Sequence, residues 1–263
     1  MTDQPPSWAA LFSSIAAILS AIAWPGVVAW FLFTNRTRIA LLLKVLGRKL
    51  SSAKKLRLGQ FELEEELEEA VNEAGATVNE VDKSKTVPKS QLQAAENLKK
   101  KVKEASIPKS EVLEAVSGQI FDLAAQYESV RAHMPSGSMR TRRMNEIAAG
   151  MRTLALAGLP LRTKLTRSEI VGERLAAICM LQVEPRPRYF RWLIERLKTE
   201  DQAFVLFQAA LAVLELVKKR LYINSEETRS AINDAISTIS AFQNGPPDQN
   251  TLDALNEAVE LVK

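Results

Sequence analysis

The chain has few of the residues on which most catalytic sites and disulfide scaffolds depend. Among 263 residues there is one cysteine, Cys179, and one histidine, His133. A lone cysteine excludes an internal disulfide, and the pair cannot supply the ligands of a zinc site built from Cys and His within one chain. Cys179 falls on the apolar face of a predicted helix, so we expect a buried small side chain there rather than a nucleophile.

Glycine is also scarce, which excludes the common nucleotide-binding loops. The 10 glycines never come closer together than Gly150 and Gly158, so neither a P-loop nor a dinucleotide-binding loop is present. No serine has the glycine neighbours of a hydrolase nucleophile elbow. Alanine, leucine, glutamate and lysine dominate the composition and favour helix over sheet. We therefore predict an all-α protein that is not an enzyme and has no cofactor and no metal site.

Charge is absent from one long segment near the N-terminus. Trp8–Phe33 contains no Asp, Glu, Lys, Arg or His, and about 20 such residues suffice to span a bilayer. A cleaved signal peptide is the alternative, because Ala21-Ile22-Ala23 resembles a cleavage site. The apolar run continues beyond Ala23, however, and no Lys or Arg precedes it. Residues 1–33 are predicted as a short outer tail and one transmembrane helix.

Basic residues follow that segment at once, with no acidic residue among them up to Gln60. Lys and Arg are retained on the cytoplasmic side, so we predict a single-pass protein of the cell membrane with its N-terminus outside and its C-terminal domain in the cytoplasm. Ile39–Leu50 has helical amphipathic spacing, which predicts either an interfacial helix or a continuation of the span. Within the juxtamembrane segment 34–60, the residues expected to contact anionic lipid headgroups are Arg36, Arg38, Lys44, Arg48, Lys49, Lys54, Lys55 and Arg57.

Small residues recur every four positions in the predicted span, at Ala9, Ser13, Ala17 and Ala21. Such a ridge lets two helix backbones approach closely in a bilayer, where apolar burial gives no driving force. The ridge predicts a homo-oligomer that packs through these four residues.

The segment around Gly59-Gln60 permits two interpretations. Lys55–Leu58 and Phe61–Glu64 could form a small β-hairpin across a two-residue turn, covering residues 55–64. Alternatively, a helix begins near Phe61, because Leu63, Leu67 and Ala70 keep helical spacing. Nine acidic residues and no basic one lie between Phe61 and Asp82, which indicates a solvated helix face.

The remainder divides by composition into three parts: a charged helical connector (61–108), a helical bundle or short solenoid (109–222) and a C-terminal helix pair (223–263). Thr86-Val-Pro88 and Ser106-Ile-Pro108 have the pattern that begins a helix, and predict helices over about Lys89–Ala105 and from about Lys109. The first is charged and weakly amphipathic, as in a connector. Ala203–Val217 is apolar except at Gln208 and Glu215 and is predicted to be the central helix, with Phe204 and Phe207 in the core.

Three segments resemble HEAT-type helical repeats: Gly172–Ile178, Pro187–Leu193 and Phe204–Val217. The plan of the chain also resembles bacterial single-span proteins, in which an apolar N-terminus with a Trp-Pro pair, here Trp24-Pro25, precedes a basic helix and a cytoplasmic module. The resemblance implies a helical binding surface rather than a particular reaction.

One basic stretch could bind phosphate or nucleic acid. Arg131–Arg174 holds nine Lys and Arg residues against three acidic ones, but no Phe, Tyr or Trp on which a base could stack. A solvated face, or one that docks on the acidic helix or on lipid, is the better interpretation. We therefore predict a membrane-anchored, non-enzymatic interaction or scaffold module with an unidentified protein partner. The alternative is a membrane-perturbing effector that acts by self-association of its spanning and amphipathic helices.

Overall fold

The computed structural model describes residues 62–76, 78, 86–104, 107–222, 224–241 and 248–262, all within the compact unit Leu58–Lys263. The described residues form ten α-helices and no strand, so the all-α prediction is confirmed. The first helix, α1, covers residues 62–76. The others are α2 (Lys89–Glu104), α3 (Lys109–His133), α4 (Ser138–Leu154), α5 (Arg162–Leu165), α6 (Val171–Val183), α7 (Phe190–Thr199), α8 (Ala203–Lys218), α9 (Ser225–Ser240) and α10 (Gln249–Leu261).

The hairpin interpretation of residues 55–64 is wrong where the structure describes them. Residues 62–64 belong to α1, whose side chains Leu63 and Leu67 are buried while the intervening glutamates are exposed. The helical spacing of the leucines therefore decides the local structure, because an isolated two-stranded hairpin buries too little surface to persist. The first proposed strand lies outside the described residues.

Local capping signals set several helix starts. The helices α2 and α3 begin directly after Pro88 and Pro108, as predicted, and both proline carbonyls accept hydrogen bonds from the first helical turn. At α9 and α10 the side chains of Asn224 and Asp248 accept from backbone N–H groups three residues later.

The helices α4, α6 and α8 form the centre of the described unit. The helix α4 packs against α2, α3 and α6, and α6 also contacts α3 and α8. In turn, α8 contacts α7 and α10, while α9 closes against α7 and α10. The helix α8 contacts α6 and α7, whose side chains Leu175, Ile178, Leu193 and Leu197 are buried and whose Phe190 is partly buried, as expected of a central helix.

Two side chains of α8 differ from the prediction. Most of the helix is buried, including Leu214 at 0% exposure, but Phe204 and Phe207 are only partly buried and line a surface pocket. Both phenylalanines lie near the N-terminal end of α8, where α3 and α4 leave one side of the helix open. Apolarity alone therefore did not distinguish a core position from a pocket wall.

The helix α2, predicted as a weakly amphipathic connector, packs along α4. It buries Gln91, Ala95 and Leu98, and its Lys101 Nζ lies 3.5 Å from Glu66 Oε1 of α1. One narrow stripe of buried residues is thus enough to pack this helix against α4, although most of its residues are polar.

A close helix crossing depends on Gly172 in the first turn of α6. A Cβ at this position would lie 2.4 Å from the Ala124 carbonyl oxygen of α3. Only glycine lets the two backbones come so near, and the Gly172 N–H donates to Glu128 Oε1 at 2.6 Å. The crossing fixes the start of α6 against α3.

No helix in the described ranges combines the length and the apolar character that a membrane span requires. The predicted span, Trp8–Phe33, lies outside the described residues.

Candidate functional site

The residues predicted to contact lipid or to pack between spans all precede residue 62. Arg36, Arg38, Lys44, Arg48, Lys49, Lys54, Lys55 and Arg57, together with Ala9, Ser13, Ala17 and Ala21, lie outside the described residues. These assignments remain predictions.

The basic stretch Arg131–Arg174 does not form one continuous face. Arg142 and Arg143 both pair with Glu146, and Arg174 pairs with Glu200. Arg152 turns inward, and its residue is only 2% exposed. The tertiary structure therefore divides the nine cations among different environments.

Arg152 lies at the centre of a buried hydrogen-bond cluster that joins four helices. Its Nε donates to Gln182 Oε1 of α6 at 2.6 Å, its Nη1 to Gln91 Oε1 of α2 at 2.8 Å and its Nη2 to Gln208 Oε1 of α8 at 2.7 Å. The Gln182 side-chain Nε2 also donates to two oxygens of Gln208, the backbone carbonyl at 2.7 Å and Oε1 at 3.0 Å. One arginine thus ties α2, α4, α6 and α8 together.

The charge of Arg152 has no carboxylate partner among the described residues, because all three of its acceptors are neutral amides. Burial lowers the pKa of its guanidinium below the ordinary value. An arginine nevertheless remains protonated in a protein, so the cluster holds a positive charge. Taking such a charge out of water without an opposite charge is costly.

Cys179 lies near this charge and is buried, as predicted. Burial raises the pKa of its thiol to about 11, and the neighbouring Arg152 opposes that rise only in part. The thiol is therefore neutral at physiological pH, and the inert small side chain expected from the sequence is confirmed.

Arg152 forms part of the wall of a surface pocket of about 320 Å³ between α3, α4 and α8. Two further arginines line it: Arg131 near the end of α3 and Arg140 in the first turn of α4. Arg140 is held by its Nη2, which donates to Ser136 Oγ at 2.7 Å, and by its Nη1, which donates to the Met134 carbonyl at 3.3 Å. The Nε of Arg131 is buried and has no hydrogen-bond partner in the described part of the chain.

Aromatic and polar groups complete the pocket. Phe204 and Phe207 form an apolar wall, and the Phe204 ring lies 5.9 Å from that of Tyr127. The Tyr127 hydroxyl donates to Gln202 Oε1 at 2.7 Å, and burial raises the pKa of this phenol above its ordinary value. The remaining polar lining comes from Thr86, Thr141, Asn145, Gln208, Asp248 and Asn250.

Asp248 is the one carboxylate among the described residues that line this pocket. It caps α10: one oxygen accepts from the Thr251 N–H at 3.2 Å and from Thr251 Oγ1 at 2.9 Å. Among the described lining residues, three arginines against one aspartate give two net positive charges. The site can therefore accept an anion and place an apolar group beside it.

Few features of the sequence indicate this site. Gln208 interrupts the apolar run of α8, and Gln91 and Gln182 lie on buried faces of their helices. Polar residues at core positions of several helices are the pattern that could have suggested a buried cluster, since buried polar groups need partners. Arg131, Arg140 and Arg152 all belong to the basic stretch that the sequence marked as a phosphate-binding candidate.

Neither His133 nor a cluster of carboxylates adds a second site in the described part of the chain. His133 is exposed at the end of α3, with its Nδ1 3.0 Å from the Ser129 carbonyl oxygen. Over the described ranges no three His, Cys, Asp or Glu side chains are grouped so as to hold a metal ion.

Comparison with known proteins gives no relative. No protein-family model matches the chain, and no curated protein or solved structure shows significant similarity to it.

Proposed function

We propose that this chain is a membrane-anchored, non-enzymatic helical interaction module that holds a partner at the cytoplasmic face of the cell membrane. In this proposal Trp8–Phe33 is the span, and the basic residues between Arg36 and Arg57 contact anionic headgroups. The ridge of Ala9, Ser13, Ala17 and Ala21 joins the spans of a homo-oligomer.

The observation that supports a binding role is the arginine-lined pocket between α3, α4 and α8. It is concave, it has an apolar wall of two phenylalanines, and it contains a buried charge that no carboxylate in the described ranges balances. Pockets of this size with a few convergent polar groups are the usual form of a binding site. An interaction module needs such a surface, and the bundle supplies it on rigid helices.

Charge reversal in the pocket tests the proposal. The full chain, carrying an affinity tag, is captured from native membranes as the wild type, as Arg140→Glu and as Arg142→Glu. Arg140 lines the pocket, whereas Arg142 is two residues along the same helix and pairs with Glu146 outside it. We expect a stoichiometric companion with the wild type and with Arg142→Glu, and its loss with Arg140→Glu.

Two results would contradict the proposal in different ways. Equal recovery of the companion with both variants would remove the pocket from the interaction. If the wild type recovers no companion and instead makes vesicles permeable to ions, the membrane-perturbing alternative is favoured.

The predicted orientation of the chain in the membrane can be tested separately. A reporter that is active only in the cytoplasm, fused after Lys263, should be active, because basic residues next to a span stay on the cytoplasmic side. An inactive reporter would reverse the orientation and exclude a cytoplasmic partner.

A further inference from the structure

We propose that the pocket between α3, α4 and α8 binds the phosphomonoester group of a small organic molecule, through Arg131, Arg140 and Arg152. This inference rests on the proposed function, since it names the chemistry of the ligand at that same binding site.

Charge favours a phosphomonoester. The described lining residues carry two net positive charges, from three arginines and Asp248. A phosphomonoester carries about −1.5 to −2 charges at pH 7 and therefore balances them. A carboxylate or a sulfate ester carries a single negative charge and therefore balances only one of the two positive charges. The Asp248 carboxylate already accepts hydrogen bonds at both oxygens, from Asn250 at one and from Thr251 at the other.

The donors that a phosphate needs are also present. Arg152 uses one N–H each of Nε, Nη1 and Nη2 for its glutamines, and its two terminal nitrogens each carry a second one. The Nε–H of Arg131 is buried and has no partner in the described part of the chain. An unpaired donor in a buried position is costly, and a bound oxyanion would satisfy it. Guanidinium groups match the tetrahedral oxygens of a phosphate in geometry as well as in charge.

The size and the apolar wall of the pocket restrict what carries the phosphate. A volume of about 320 Å³ is at the lower end of the range for small-molecule sites. Phe204 and Phe207 offer ring surface beside the arginines, which suits a ligand with an apolar or aromatic body. These features favour a compact phosphorylated molecule over an extended peptide.

A purely structural role for Arg152 is the alternative that the experiment must separate. The arginine joins four helices, so its replacement lowers the stability of the protein whether or not a ligand binds. The decisive variants are therefore Arg131→Gln and Arg140→Gln, because both residues line the pocket and are only partly buried. The matched control is Arg167→Gln, because Arg167 is exposed and does not line this pocket.

Titration calorimetry on the full chain in a nonionic detergent and a phosphate-free buffer provides the measurement. The probes are phenyl phosphate, inorganic phosphate, phenyl sulfate and a short-chain, water-soluble phosphatidic acid. We expect one phenyl phosphate per chain, and weaker binding of inorganic phosphate, which has no body to contact the phenylalanines. Phenyl sulfate should bind still more weakly, because it carries a single charge.

The variants should separate according to position. Loss of one charge-assisted contact corresponds to roughly a tenfold or greater weakening, so Arg131→Gln and Arg140→Gln should each raise the Kd of phenyl phosphate by about 10-fold. Arg167→Gln should leave the Kd unchanged. All three variants should keep the melting temperature of the parent within a few degrees, since these arginines are not the ones that join the helices.

The outcomes are distinct. The inference is overturned if no phosphate probe binds saturably, or if Arg131→Gln and Arg140→Gln bind phenyl phosphate as tightly as the wild type does. Tighter binding of the short-chain phosphatidic acid than of phenyl phosphate supports the phosphate site and identifies its source as a lipid headgroup. If a companion is captured from membranes in a manner that depends on Arg140 while no phosphate binds, the proposed function stands and only this inference fails.

Discussion

Arg174 and Arg152 are both largely withdrawn from solvent, and they are accommodated in opposite ways. Arg174, at the start of α6, forms a bidentate pair with Glu200: Nε to Oε1 at 2.6 Å and Nη2 to Oε2 at 2.8 Å. Its Nη1 also donates to the Glu169 carbonyl at 2.7 Å. Arg152, in α4, donates only to neutral amides and lies beside a pocket.

The difference separates a structural cross-link from a site that can still bind. At Arg174 the carboxylate balances the charge, and the hydrogen bonds that the guanidinium donates to Glu200 raise its pKa. At Arg152 burial lowers the pKa, because no anion in the described part of the chain compensates for lost hydration. An uncompensated buried charge with access to a pocket is therefore available to a ligand, and a paired one is not.

The largest effect should follow when the closed pair is broken. Glu200→Ala leaves the Arg174 guanidinium, 13% exposed, without its counter-ion, which typically costs about 3–5 kcal/mol of unfolding free energy. Glu195→Ala removes an exposed carboxylate of the same region and should change stability by less than about 0.5 kcal/mol. Denaturant unfolding of the fragment 58–263, followed by circular dichroism, measures both. Equal stabilities would mean that Arg174 rehydrates freely and that the pair is not a cross-link.

The fragment should begin at residue 58 rather than at the predicted bundle boundary near Lys109. The helix α2 contributes Gln91, Ala95 and Leu98 to the interior, and α1 contributes Leu63 and Leu67. A shorter fragment would expose those contacts and confuse the comparison.

The close crossing beside the Arg174 pair gives the second prediction. Gly172→Ala places a methyl group against the Ala124 backbone and should cost about 3 kcal/mol, the upper part of the range for overpacking, because backbone yields less than a side chain. Gly118→Ala in α3 is the matched control: its Cβ would meet nothing within 4 Å, and it should stabilise the helix by about 0.5–1 kcal/mol. We expect Gly172→Ala to lower the melting temperature and Gly118→Ala to raise it. A shift of the same sign for both variants would argue against the close crossing.

Removal of the unpaired charge should cost less than removal of Glu200. In Arg152→Met the three glutamines lose their common donor, which destabilises, but the desolvated charge also disappears, which stabilises. The net loss should be about 2 kcal/mol in the same unfolding assay. A loss as large as that of Glu200→Ala would show that the cluster acts as a cross-link in its own right and would weaken the contrast between the two arginines.

The pocket wall should contribute least to stability. Phe207 is only partly buried, so Phe207→Ala should cost about 1 kcal/mol, below the about 3–5 kcal/mol that a core phenylalanine would cost. Leu214→Ala, in the same helix and fully buried, should cost about 2–5 kcal/mol. If Phe207→Ala proves the more destabilising of the two, Phe207 belongs to the core and the pocket is closed in solution.

The positions of most helices could be predicted because their signals are local. The predicted range of α8, Ala203–Val217, differs from the observed Ala203–Lys218 by one residue. The prolines before α2 and α3 mark the first residues of those helices. The predictions were wrong where the environment of a side chain depends on which other helices pack beside it. The polar α2 packs against α4 through one narrow stripe, and Phe204 and Phe207 line a pocket although they are as apolar as the core residues beside them.

The amino-acid sequence by itself determined that the described residues are helical and where those helices begin, since periodicity and capping act over a few residues. Only the tertiary structure decided which cations are paired and which are not. Arg152 meets Gln182, Gln208 and Gln91 across separations of 30, 56 and 61 residues, and no local pattern encodes those distances. The free energy of a buried charge depends on every group within a few ångströms, so the environment of each arginine was decided when the helices packed.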